Sequence, residues 1–139
     1  MMSFMLLPSI PCWIAFWTFH YDYKGYVDFG GDLCLDGDEN IYVCGYGGNS
    51  SGGKDVLLIK LKASGSLEWE KAWTGTLSDS ASSAIEVFAV DYKVFMLASV
   101  YNSDRDLLVA QIDSSGHVDW YDEHNRGGGL PTKLSLERQ

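Results

Sequence analysis

A fifteen-residue segment occurs twice in this chain, and that repetition constrains the fold more than any other feature. Asp55–Trp69 reads DVLLIKLKASGSLEW, and Asp106–Trp120 reads DLLVAQIDSSGHVDW, 51 residues later. Asp, Leu, Ser, Gly and Trp are identical, and most other positions exchange one apolar residue for another. Upstream, IYVCGY at 41–46 corresponds to VFMLAS at 94–99, and LCLD at 33–36 to FAVD at 88–91. Downstream, WEKAWTG at 69–75 aligns with WIAFWTF at 13–19, keeping Trp-x-x-x-Trp-Thr, and His124 takes the second Trp place after Trp120. Trp13, Trp69 and Trp120 thus mark three starts, 56 and 51 residues apart. A chain repeating at this period is built from supersecondary units that bury their faces against one another.

Each full unit holds four apolar segments of strand length. They are 13–19, 33–35, 41–46 and 56–61 in the first unit, and 67–74, 83–90, 94–100 and 107–112 in the second. Ser64-Gly65 and Ser115-Gly116 fall where tight turns must join strands, and glycine reaches positive φ there without steric cost. Runs such as VLLI and LLVA do not alternate apolar with polar, which predicts strands covered on both faces. Fifteen Gly against three Pro suit a turn-rich, all-β chain. The expected organisation is a segment 1–12 that matches no part of the repeat, units at 13–66 and 67–116, and a third start with a polar tail at 117–139. Residues four apart on a strand share a face. Trp13 with Trp17, Trp69 with Trp73, and Trp120 are therefore expected to fill the space between units. Lys60 and Lys62, at a strand end, read as a solvated edge.

The string D-x-L-L-x-K-L-x-x-S-G-x-L-x-W, with D-x-x-x-N-I-Y-V-x-G before it, resembles the β-propeller repeats of bacterial and archaeal surface and secreted proteins. The resemblance runs from Trp13 to Trp120, with two departures: Ala98 stands in place of Gly45, and the Tyr92-Lys93 hairpin is shortened. It implies an all-β fold of two four-stranded antiparallel blades plus a stub. Propellers close with four or more blades, so the implied ring is incomplete. It further implies an extracellular or cell-surface scaffold that binds a protein or glycan through its loops, and that self-associates or meets further blades. Similar Gly-x-x-x-Trp punctuation occurs in quinoprotein-type propellers. The alternative is therefore a piece of a propeller enzyme, hydrolase or quinoprotein-like, whose active site needs blades beyond these.

Nineteen acidic against ten basic residues give a net charge of −9, which disfavours nucleic-acid backbones and anionic membrane surfaces as partners. Met1–Phe19 carries no charged side chain, but Pro8 and Pro11 interrupt it, and the repeat leaves only about a dozen residues, short of a membrane span. Cys12, Cys34 and Cys44 form no CxxC pair, and are expected to be small buried hydrophobes, although Cys34 and Cys44 sit on neighbouring strands. His20, His117 and His124 have no metal-ligand spacing.

Asp36, Asp38 and Asn40 place oxygens at positions 1, 3 and 5, the opening of a calcium loop. Ile41, Cys44 and Gly47 then stand at positions 6, 9 and 12, so half the ligand set is missing, and a polar hairpin is the expected role. Gly48-Asn49-Ser50-Ser51-Gly52 satisfies G-x-S-x-G, but a following strand replaces the helix that a nucleophile elbow requires, so an interstrand loop is expected. Asn49-Ser50-Ser51 is also a glycosylation sequon. Asp55 and Asp106 recur by unit, which favours turn chemistry over an acid–base pair. No catalytic residue and no cofactor other than calcium emerges from the sequence.

Overall fold

The computed structural model describes residues 2–6, 17–73, 83–102 and 104–124, which form ten strands and no helix. Among them no helix is long and apolar enough to cross a membrane. β1 (Met2–Leu6) pairs with β2 (Trp17–Tyr21). A first four-stranded sheet runs β3 (Asp28–Leu35), β4 (Ile41–Gly48), β5 (Lys54–Leu61) and β6 (Leu67–Trp73). A second runs β7 (Ser83–Val90), β8 (Lys93–Asn102), β9 (Asp104–Asp113) and β10 (Val118–His124). All pairs are antiparallel between sequence neighbours, as short connections dictate.

The repeat is visible in the strand register. Val43 lies opposite Leu33 and Ile59; Met96 lies opposite Val87 and Ala110. β-Bulges recur at matching places, between Gly30 and Asp32 and between Ala84 and Glu86 on the first hairpins. They recur again at the Lys60/Leu61 step and at the Val118/Trp120 step on the last pairs. A bulge bends its strand and re-aims its side chains, so the two sheets share these local bends. The sheets are offset from the sequence units by one strand: Leu67–Trp73 opens the second sequence unit and closes the first sheet. The Ser64-Gly65 turn causes this, because a tight hairpin returns β6 alongside β5.

The N-terminal pair has the same register. Leu6 faces Trp17 as Lys60 faces Trp69 and Gln111 faces Trp120. Met2 faces Tyr21 as Val56 faces Trp73 and Leu107 faces His124. β1 and β2 therefore stand where β5–β6 and β9–β10 stand, and the pairing puts Trp17, not Trp13, in register with Trp69. The resulting spacings, 52 and 51 residues, are more even than the 56 and 51 of the sequence alignment. Trp13 lies outside the described residues.

Burial follows strand alternation. One side of the first sheet sends Tyr42, Cys44, Val56 and Leu58 into a cluster with Val87, Val94, Met96, Ala98, Leu108, Ala110 and Ile112 of the second sheet. Its other side sends Ile41, Val43, Leu57, Ile59 and Leu61 against Tyr21 and Tyr23, with Trp17 and Phe19 packed alongside. Covered on both faces, β5 is buried from Asp55 to Leu61, and its centre, Val56–Ile59, is an unbroken apolar run. Trp69 and Trp73 pack together against the inter-sheet cluster, and Trp69 tilts onto Tyr42 at 6.0 Å. Trp120 stacks edge-on to Phe95 and stays 46% exposed.

Trp17 and Trp69 each seat on the turn glycine of the next sheet. A Cβ at Gly65 (φ 87°) would fall 2.4 Å from the Trp17 ring, and one at Gly116 (φ 88°) would fall 3.1 Å from the Trp69 ring. The backbone needs the left-handed region and the ring needs the space, so glycine satisfies two demands at once. Lys60 departs from the solvated edge expected of it. It is buried, donating to the Ser114 carbonyl at 2.9 Å and pairing with Glu68 at 2.8 Å, while Trp69 Nε1 donates to the same carbonyl. These bonds tie the β5–β6 pair to the β9–β10 turn.

The β7–β8 turn is a two-residue hairpin in which Asp91 and Tyr92 both have positive φ, 46° and 64°. That geometry favours Asn-Gly, and Tyr92 is 71% exposed, so its ring loses little packing on removal. Asp91→Asn/Tyr92→Gly is expected to raise the unfolding free energy by about 1 kcal/mol. A thermal melt checks this, and an unchanged or lower midpoint contradicts it.

Candidate functional site

The best-built polar centre surrounds Asp55, at the start of β5. Its carboxylate is buried and accepts from Tyr23 Oη at 3.0 Å and Asn49 Nδ2 at 2.9 Å, with Lys24 Nζ at 3.8 Å. Gly47 faces Asp55 across the ladder, and a Cβ there would come within 2.4 Å of the Tyr23 ring. Burial raises the Tyr23 pKa, the Lys24 ammonium opposes this and the Asp55 carboxylate adds to it; the net shift is upward, so the phenol stays a donor. Asn49 is fully engaged: its Oδ1 accepts from Ser51 N, Ser51 Oγ and Gly53 N while its amide holds Asp55. The G-x-S-x-G segment is thus the expected interstrand loop, closing a hairpin between β4 and β5. The sequon amide is the group that bonds Asp55.

Asp106 occupies the equivalent place in the second sheet and is equally buried, yet its Oδ1 has no hydrogen-bond partner. Val100 stands opposite it where Gly47 stands opposite Asp55. The room that Gly47 leaves for a phenol is filled by an aliphatic side chain. Among the described residues the Tyr23–Asn49–Asp55 network has no counterpart in the second sheet, although the aspartate recurs.

Beside this centre lies a pocket of about 210 Å³, lined by Tyr26, Val27, Tyr46, Gly48, Asn49, Gly52, Gly53 and Lys54. Lys54 Nζ sits 4.1 Å from the Tyr46 ring centroid, and Phe29 stacks on the same tyrosine at 5.5 Å. The lining offers aromatic surface, backbone amides and one ammonium. It contains no His, Cys or carboxylate, so it brings together no nucleophile with a base.

The Asp36 hairpin is organised around its first carboxylate. Oδ1 accepts from Asp38 N and Asn40 N, each at 2.9 Å, and Oδ2 from Asn40 Nδ2 at 2.9 Å and Tyr42 Oη at 3.1 Å. The Asp38 N–H bond to Oδ1 is that of an Asx turn, and the Asn40 side chain turns its amide nitrogen toward the acid. Among the described residues, no group of three or more His, Cys, Asp or Glu could hold a metal ion. Partial burial pushes the Asp36 carboxyl up, but the bonds from Asn40, Asp38 and Tyr42 outweigh it and hold the pKa below the ordinary value. A depressed folded-state pKa gives stability that is complete above the unfolded pKa, about 4, and lost as pH falls through the lowered value. The melting-temperature gap between wild type and Asp36→Asn is expected to be widest near neutrality and to narrow in acid. An equal gap at pH 7 and at pH 2.5 contradicts this.

Cys34 and Cys44 are the buried thiols expected from sequence, and burial, with Asp32 nearby, pushes the Cys44 thiol up to about 12. Cys12 lies outside the described residues. Tyr23, Lys24 and Gly47 were not singled out by sequence reasoning; the repeated aspartate was the one signal, and it does not name its partners. No protein-family model matches the chain, and no curated protein is similar to it.

Proposed function

We propose that this chain is a non-catalytic repeat scaffold of β-propeller type. In this reading the two four-stranded sheets are consecutive blades, and the N-terminal pair is part of a third. Loops and open strand edges then serve to bind a protein or glycan and to assemble with further repeats. The observation that carries the reading is the recurrence of register, bulges and the Trp-on-Gly contact. The pocket beside Asp55, lined by aromatic rings, backbone amides and the Lys54 ammonium, offers the kind of contact surface this reading needs.

The test is equilibrium dialysis of the chain against a pyrroloquinoline quinone solution, read by absorbance, with ester hydrolysis assayed in parallel. The scaffold reading expects neither retained quinone absorbance nor turnover above buffer. Stoichiometric retention, or turnover lost in a Ser50→Ala/Ser51→Ala variant, contradicts it and supports a propeller enzyme.

A further inference from the structure

We propose that an open strand-pair position lies beside β1, over β3, and that it accepts a β-hairpin of this repeat's own type from another polypeptide. The inference rests on the scaffold reading and names the partner of that scaffold. Among the described residues β1 pairs with β2 alone, whereas its register equivalents, β5 and β9, are each paired on both sides. Among the described residues the N-terminal pair therefore has two strands where each other sheet has four, and the two without a counterpart there are the equivalents of β3 and β4.

The surface under that position behaves accordingly. Within the chain, β7 lies across β3 and β4 and carries Val87 and Ala89 into the inter-sheet cluster; Val87 is only 1% exposed. The register equivalents on β3 are Leu33, opposite Val43 as Val87 is opposite Met96, and Leu35, opposite Ile41 as Ala89 is opposite Val94. Leu33 and Leu35 are 43% and 48% exposed. The same two positions are covered where a β3–β4 hairpin stacks on them and open where none does. The chain thus contains its own occupied reference for the open position.

The occupied interface also specifies polar chemistry. The Asp32 carboxylate, at the β3 bulge, accepts a hydrogen bond from Val87 N–H at 3.0 Å. The equivalent donor on β3 is Leu33 N–H, so the occupant carries a carboxylate at its own bulge. It presents alternating apolar side chains to Leu33 and Leu35, and its second strand pairs antiparallel with β1. Main-chain bonds along a sheet edge give affinity in such strand addition, and alternate side chains give selectivity.

The experiment titrates the full-length chain with a synthetic peptide of residues 28–48, the hairpin on which β7 docks, and follows heat by calorimetry. Saturable binding is expected. It should weaken about tenfold for the Leu33→Asp/Leu35→Asp chain and for a peptide carrying Asp32→Ala. Both leucines face solvent, so the double variant should melt near wild type; if it does not fold, Leu35→Ser alone makes the comparison. Absence of binding overturns the proposal. So does equal binding by the variant chain, or by a peptide of scrambled sequence. Mass in solution tests the scaffold reading separately: an oligomer that ignores the hairpin overturns the open position alone, and a monomer that binds it contradicts self-assembly alone.

Discussion

Truncating Leu58 to alanine is expected to cost about 3–5 kcal/mol of unfolding free energy. Leu58 is fully buried on the side of the first sheet that meets the second, among Tyr42, Val56, Val94, Met96 and Leu108. The cost combines lost transfer of the side chain with the cavity left behind, and strands held in two ladders relax little to fill it. Because the cluster draws on both sheets, the loss should appear in both at once. Urea melts followed by Trp fluorescence and by far-ultraviolet circular dichroism should shift together, as one cooperative transition. A loss below about 1 kcal/mol, or a shift in only one probe, contradicts a shared core.

Asp55→Ala is expected to cost about 2–4 kcal/mol, because it strands one buried and one part-buried donor. Tyr23 Oη and Asn49 Nδ2 both bond this carboxylate, and Gly47 makes the space that brings the phenol to it. Lys24 adds little, since its ammonium is half exposed and screened. The internal control is Asp106→Ala. That carboxylate is as deeply buried but leaves one oxygen unpartnered, so its removal strands fewer groups and should cost distinctly less. Chemical denaturation of the two variants side by side decides the matter. Equal losses contradict the assignment of the network to the first sheet.

These two contrasts show where sequence was informative and where it stopped. Strand positions in the two full units were legible, because apolar runs bounded by Ser-Gly turns leave few alternatives. The phase of the N-terminal unit was not. WIAFW offers two tryptophans four apart, and either can be aligned with Trp69. Only the pairing of Leu6 with Trp17 selects one. β1 was missed for a related reason: five residues without Trp or Gly punctuation carry no repeat signal, although their register is that of β5. Lys60 was misplaced because a lysine at a strand end usually reaches water. Here the Ser114 turn carbonyl of the next sheet and Glu68 satisfy the ammonium instead. Asn49 is local to Asp55 in the β4–β5 hairpin, but Tyr23 was illegible as a partner because it lies far off in sequence and reaches the carboxylate only over Gly47.

We propose the chain as one unit of a larger repeat assembly, with apolar surface and strand edge left for a neighbour. Val27, Phe29, Leu33, Leu35, Val90, Trp120 and Tyr121 are all exposed, and β1 has a free edge among the described strands. Size-exclusion chromatography with light scattering tests this most directly. The predicted result is a mass at a multiple of the 15.4 kDa chain, or a mass that rises with concentration. A single sharp monomer of 15.4 kDa at every concentration would contradict it.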